Sequence, residues 1–263
     1  MQIGVTNMIM GDVPLASFFD QAAEAGYEVV ELAICREGEL TPNTPTTDLK
    51  RICSQAHDAG LEIVSLVHLH TNGNIQQSGA AQRIAVNDTI AGLRIADAMD
   101  VRCTLRTLDP QSPDVFYDEA YRNAVEALQQ IGHGGDKLNV DVAIEFVWNG
   151  FLFSPMEMRR FLDDVGHHRI GFYYDPGNVA VFQSPHHWVR IVGPHLKMVH
   201  LKDWQGGPLD GSWPPLLEGQ VDFAAQNREL RAIGYDGPMI SEVSTEVASL
   251  HHTAEAIRKI IAM

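Results

Sequence analysis

Eight short apolar runs recur along this sequence with amphipathic segments between them, and no other feature constrains the fold as strongly. The runs are QIGVTN, YEVVELAI, LEIVSLVHL, VRCTLRTL, VDVAIEFVW, IGFYYD, MVHLKD and PMISEVS, spaced roughly 25 to 40 residues apart. Between them, PLASFFDQAAEAG, TDLKRICSQAHDAG, AAQRIAVNDTIAGLRIADAMD and SPMEMRRFLDDVG carry apolar residues at helical spacing, and several stop at glycine. Strands that are apolar on both faces must be covered on both, as in a parallel sheet flanked by helices. Eight strand-plus-helix units close naturally into a (β/α)8 TIM barrel of the α/β class. An open doubly wound sheet is the alternative. It is weakened because TNMIMGD, and no G-x-G-x-x-G, follows the first strand.

Composition narrows the partners. With 263 residues, 45% of them hydrophobic, and no linker or low-complexity tract, residues 1–263 read as one domain. Nineteen basic against 34 acidic residues give a net charge of −15, which repels a phosphate backbone and disfavours nucleic acid. No 18-residue apolar run exists and MQIGVTNMIMGD lacks the regions of a signal peptide, so the expectation is a cytoplasmic protein with no membrane association. Cys35, Cys53 and Cys103 are odd in number and form no C-x-x-C, which predicts buried free thiols. GHGGD, residues 132 to 136, has glycines but not the rest of a phosphate loop and reads as a turn before the fifth strand. The Gly-, Pro- and Trp-rich stretch 203–223 reads as a long loop after strand seven, at the face where such loops build sites.

In a barrel of this kind the site gathers at the C-terminal ends of the strands. There strand five carries Glu145, strand six ends on Asp175, strand seven carries His200 and strand eight carries Glu242. Side chains alternate with a period of two, so each of the four can point into the barrel mouth. Taken singly, an acid there is more often a helix N-cap or an ion-pair partner, and a histidine a satisfied core residue. Their separations of 30, 25 and 42 residues follow the strand-to-strand steps, however, so one geometry brings all four together. Burying three carboxylates together costs several kcal/mol apiece without a counter-charge, and a divalent cation removes that cost. Three oxygen donors and one imidazole suit Mn2+, Mg2+ or Co2+, with Zn2+ also open.

The set Glu145, DPGN, HLKD, LEGQVDF and SEV resembles the xylose isomerase-like TIM-barrel superfamily, and within it the sugar phosphate isomerase/epimerase branch that includes tagatose 3-epimerase. The likeness extends over most of the chain and is strongest from Glu145 to Glu242. It implies one divalent metal, Mn2+ foremost, on Glu145, Asp175, His200 and Glu242, with the two glutamates also acting as a proton-transfer pair. It further implies an isomerase or epimerase of carbohydrate metabolism, acting on a small sugar, sugar phosphate or keto-polyol by proton abstraction next to a carbonyl. A dehydratase of the keto-inositol or dehydroshikimate type would use the same centre. A non-catalytic sugar-binding barrel is a further alternative, and a homodimer or homotetramer is open as the assembly. Two departures bear on the reaction. Asn178 stands where ketose 3-epimerases place a substrate-contacting histidine, and strand four, VRCTLRTL, lacks the histidine that an endonuclease IV-like phosphodiesterase would need.

Further substrate contacts are expected from His68 and His70, which share a face at the end of strand three, from Arg106, Asn178 and Lys202, and from Trp148 and Trp204 on the site loops, with Trp213 as a further candidate. Ordinary hydrogen bonding, ion pairing or loop packing is the competing use of each. Glu31, in strand two, is expected behind the metal ligands as a hydrogen-bond acceptor.

Overall fold

A computed structural model describes Met1–Met263. The strands are β1 (Ile3–Thr6), β2 (Val29–Ile34), β3 (Glu62–His68), β4 (Cys103–Thr107), β5 (Asp141–Glu145), β6 (Ile170–Tyr174), β7 (Leu196–Leu201) and β8 (Met239–Ser241). All pair in parallel with their sequence neighbours, and β1 pairs with β8 to close the barrel. Around it run α1 (Leu15–Glu24), α2 (Thr46–Asp58), α3 (Gly79–Ala98), α4 (Tyr117–Leu138), α5 (Pro155–Val165), α6 (Pro176–Ala180), α7 (Pro185–Val192), α8 (Phe223–Ala232) and α9 (Leu250–Ala262). None is long and apolar enough to cross a membrane.

Strand parity divides the core in two. Val67, Leu105, Ala143, Tyr173, Met198 and Ile240 fill the barrel interior, while the alternate strand residues pack against the helices in the larger cluster. The ladder register shifts between Val30 and Glu31 on β2 and between Phe172 and Tyr173 on β6. Such irregularities re-aim neighbouring side chains. Here they adjoin Glu31 and Tyr173, whose side chains meet inside the barrel with the Tyr173 hydroxyl donating to Glu31 Oε2 at 2.6 Å.

Two expectations need correction. GHGGD is no turn but the closing stretch of α4, which ends at Asn139 in a left-handed cap. Its glycines serve close approach: a Cβ on Gly135 would lie 2.5 Å from the Val140 carbonyl oxygen, and one on Gly132 would lie 2.6 Å from the His167 ring. The three cysteines are free, as expected, but only partly buried. The stretch after β7 is indeed a long loop, reaching to α8.

Candidate metal centre and active site

The four strand-end residues converge. Glu145, Asp175, His200 and Glu242 each place a ligand-type atom within 4.8 Å of the others', and all but Glu242 are buried. Glu145 closes β5 and His200 lies in β7, whereas Asp175 and Glu242 fall one residue beyond β6 and β8. Parallel register carries the inward parity from strand to strand: Thr107 pairs with Glu145, Glu145 with Tyr173, and His200 with Ile240.

Each ligand atom is fixed by what the rest of its side chain does. His200 Nε2 bonds Glu31 Oε1 at 2.8 Å within a fully buried pair. That fixes the ring and leaves Nδ1 facing Glu145 Oε1 at 3.4 Å and Glu242 Oε2 at 3.3 Å, without the alignment of a hydrogen bond. Asp175 does two things at once. Its Oδ1 caps α6 by accepting from the Asn178 amide at 3.0 Å, so the helix-cap use expected of a strand-end acid is real. Its Oδ2 is buried, makes no hydrogen bond and faces Lys202 Nζ at 3.2 Å. Lys202 also reaches Glu242 Oε2 at 2.7 Å and lies 5.1 Å from the centre of the Trp213 ring.

These surroundings push the carboxyls apart. Burial raises the Glu145 pKa above the usual carboxylate range, and His200 only partly offsets it. Burial acts the same way on Glu242, but the Lys202 ammonium and His200 outweigh it and hold that carboxyl down. A buried imidazole nitrogen and a buried carboxylate oxygen, both without hydrogen bonds and clustered with two further carboxylates, fit a divalent cation. With Glu31 fixing the far side of the imidazole, the arrangement is the one metal-binding histidines use.

The other expected residues divide. Asn178 joins the cluster, its Nδ2 donating to Glu145 Oε1 at 3.0 Å while its carbonyl accepts from the Trp148 indole at 3.0 Å. Trp148 stacks on Trp213 with ring centres 5.3 Å apart, and the two form a wall beside the cluster. Trp204 lies buried beneath them and donates to the Gly206 carbonyl, which makes it a loop-packing residue. A cavity of about 260 Å3 opens here, lined by Lys202, Trp213, Pro214, Glu242 and Val243 among others. His68, His70 and Arg106, by contrast, take the outward parity and lie under α3. A Cβ on Gly92 of α3 would meet His68 ring atoms at 2.4 Å, and His70 Nε2 bonds the Asp88 carbonyl oxygen at 2.8 Å. Arg106 donates to Thr89 of α3 at 3.0 Å and pairs with Asp109 at 3.2 Å. None of the three enters the mouth of the barrel.

Two residues with work at the site went unnoticed in the sequence. Tyr173 holds Glu31 in place and packs on His200, ring centres 4.5 Å apart. Asp203 accepts from the amides of Trp204 and Val221 on one oxygen and of Leu217 and Gly219 on the other, tying down the long loop. A buried acid at the head of a Gly- and Pro-rich loop was the available signal. A second group of ligand-type side chains, His133, Asp136 and His167, lies at the opposite end of the barrel. There His167 Nδ1 accepts from the Arg169 amide, which places the ring proton on Nε2, and the Arg169 guanidinium is 3.4 Å from Asp136. That setting disfavours a cation.

No curated protein matches the sequence. Among solved structures, a D-tagatose 3-epimerase-like protein superposes with a TM-score of 0.84 at 18% identity, covering 100% of this chain and 97% of its own. D-psicose 3-epimerase from Clostridium cellulolyticum H10, solved with D-tagatose, gives 0.82 at 14% identity, with 99% of each chain covered. The IOLI protein, solved with a zinc atom, gives 0.80 at 13%, covering 100% of this chain and 98% of its own. At such identities the likeness shows the fold. The sequence profile goes further, since residues 19–263 match the one described as xylose isomerase-like TIM barrel. With that match spanning β2 to β8 and every one of the four clustered residues, the chain belongs to the xylose isomerase-like TIM barrel family.

Proposed function

We propose that this protein is an enzyme that isomerises or epimerises a small sugar or keto-polyol by removing a proton from the carbon next to a carbonyl, with one divalent ion at Glu145, Asp175, His200 and Glu242. The observation that carries this reading is His200 Nδ1, buried without a hydrogen bond between two carboxylates while Glu31 holds the other face of the ring. Three oxygens and one nitrogen suit Mn2+ best, with Mg2+, Co2+ and Zn2+ as alternatives. When bound, the ion supplies Lewis acidity toward the substrate's carbonyl and neighbouring oxygens.

The chain's own residues do the rest. Glu242 is held ionised by Lys202 and is suited to take the proton; Glu145, buried and bonded by Asn178, is suited to give one back. They approach from strands separated by β6 and β7, so a substrate between them presents a different face to each. Asn178 orients Glu145 but cannot itself carry a proton at neutral pH. Lys202 is placed to donate to a substrate oxygen, and the Trp148–Trp213 wall to exclude water from one side. The structural neighbours named for 3-epimerases support the same class of chemistry.

The test is incubation of metal-loaded protein with ketoses and keto-polyols in D2O, followed by NMR. Deuterium should enter at the carbon beside the carbonyl of at least one compound, with the carbon skeleton intact. Binding without exchange across the panel would instead indicate a sugar-binding barrel. A dehydratase is the second reading. It is favoured by the position of Lys202 Nζ, 2.7 Å from Glu242, where an ammonium could protonate a departing hydroxyl. Its product would be lighter by one water.

A further inference from the structure

Lys202 stands among the residues assigned to the ion, and its position is built into the fold. It follows His200 by one strand period, so it leaves β7 on the same parity and enters the barrel mouth beside it. Its stem passes Gly177 of α6, where a Cβ would lie 2.5 Å from Lys202 Cβ and 3.0 Å from the Trp213 ring. A side chain at that position would push both away, so the glycine of DPGN makes room for the lysine of HLKD. The ammonium ends 3.2 Å from Asp175 Oδ2 and 2.7 Å from Glu242 Oε2. Neither contact is aligned as a hydrogen bond, so what Lys202 brings to these two oxygens is charge. The side chain is largely shielded from solvent, at 15% exposure, and no other ammonium or guanidinium pairs with the cluster.

An ammonium and a divalent ion that draw on the same carboxylates oppose each other. Like charges a few ångströms apart repel, and shielding from water leaves that repulsion poorly screened. The count of charges around a cation site also tunes its affinity over many decades. Removing the lysine's charge while keeping its bulk therefore frees two carboxylates for the ion alone. Because the repulsion depends on charge, it acts on every divalent ion alike, and the order of affinities stays with the ligand types.

We propose that Lys202 sets how tightly the centre holds its ion, acting as a fixed positive charge shared with Asp175 and Glu242; this rests on the reading of Glu145, Asp175, His200 and Glu242 as one metal site. Metal binding tests it, and turnover does not, because Lys202 is also placed to donate to substrate. Full-length protein loaded with Mn2+ is equilibrated against a chelator of known affinity, with Mn2+ followed by electron paramagnetic resonance, and the titration is repeated with Co2+ followed by absorbance. Lys202→Met should hold both ions at least about tenfold more tightly than the unaltered protein, by similar factors. Lys202→Gln, a second neutral variant, should do the same, whereas Lys202→Arg keeps the charge and should bind as the unaltered protein does. Equal or weaker binding by the neutral variants would overturn the proposal. So would a tightening that Lys202→Arg shares, or that one ion alone shows, since either would mark a change of shape and not of charge. One ion per chain at unchanged affinity in every variant would remove this role of Lys202 and leave the metal site standing. No ion held by any of the proteins would sink the site and the proposal together.

Discussion

Both nitrogens of His200 face carboxylates, but only one of them forms a hydrogen bond, and that asymmetry separates the roles of Glu31 and Glu242. Glu31 acts through the ring, so Glu31→Gln should weaken metal binding by about 10- to 100-fold in equilibrium dialysis while turnover at saturating metal is largely kept. Glu242 touches the reacting atoms in the proposed reaction. Glu242→Gln keeps an oxygen donor but removes the proton acceptor, and turnover at saturating metal should fall by about 10²- to 10⁴-fold. A variant pair that lost metal and turnover in the same proportion would show that the two glutamates are not divided in this way. All four cluster residues were legible in the sequence because each is an ionisable side chain at the end of an apolar run. His68, His70 and Arg106 lie outside the cluster for a physical reason. Ionisable residues also occur at strand ends on the helix-facing parity, and parity on β3 is set by its pairing of Ser65 with Glu31 and Val67 with Ala33, which a single run does not reveal.

At the scale of elements, the seam between β3 and α3 holds a buried histidine that the proposed reaction does not use. Burial, reinforced by His70 and Arg106, holds the His68 pKa well below the usual histidine value. The unfolded chain therefore takes up a proton that the folded one refuses. The stability from a neutral His68 is present above the ordinary value of about 6.5 and declines as pH falls below it, by up to about 1.4 kcal/mol per pH unit. Urea unfolding at pH 7.5 and pH 5.5 should show this decline, and His68→Gln should lose part of it; an unchanged decline in the variant would remove His68 as its source. The end of α4 shows how a composition rule misleads. Glycines usually mark turns, yet Gly134 and Gly135 lie in helix, where alanine would normally be better by about 1 kcal/mol. At Gly135 a Cβ would meet the backbone oxygen of Val140 at 2.5 Å, so Gly135→Ala should destabilise by about 1–3 kcal/mol. At Gly134 the nearest atom is Ile90 Cγ1 at 2.9 Å, on a side chain that can move, and Gly134→Ala should be closer to neutral. Equal destabilisation by both changes, measured by thermal unfolding, would contradict this account of the packing.

Across the whole molecule, closure of eight parallel strands brings residues from β5 to β8 into one cluster, although nearly a hundred positions separate Glu145 from Glu242 in sequence. The barrel was legible because every strand is apolar on both faces and every connection is long enough for a helix. The Glu31–His200 link was less so, since it crosses the barrel interior and depends on ladder irregularities that no local pattern announces. The net charge of −15 sets the acidic character of the chain, and the local balance at the mouth rests on Lys202. The central claim is that four strand-end residues hold one divalent ion, with His200 ligating through Nδ1. Anomalous diffraction from crystals grown with Mn2+ tests it most directly. A single strong peak should appear about 2.0–2.3 Å from Glu145, Asp175, His200 Nδ1 and Glu242. A peak instead beside His133, Asp136 and His167, or none at the barrel mouth with Lys202 still bridging Asp175 and Glu242, would contradict it.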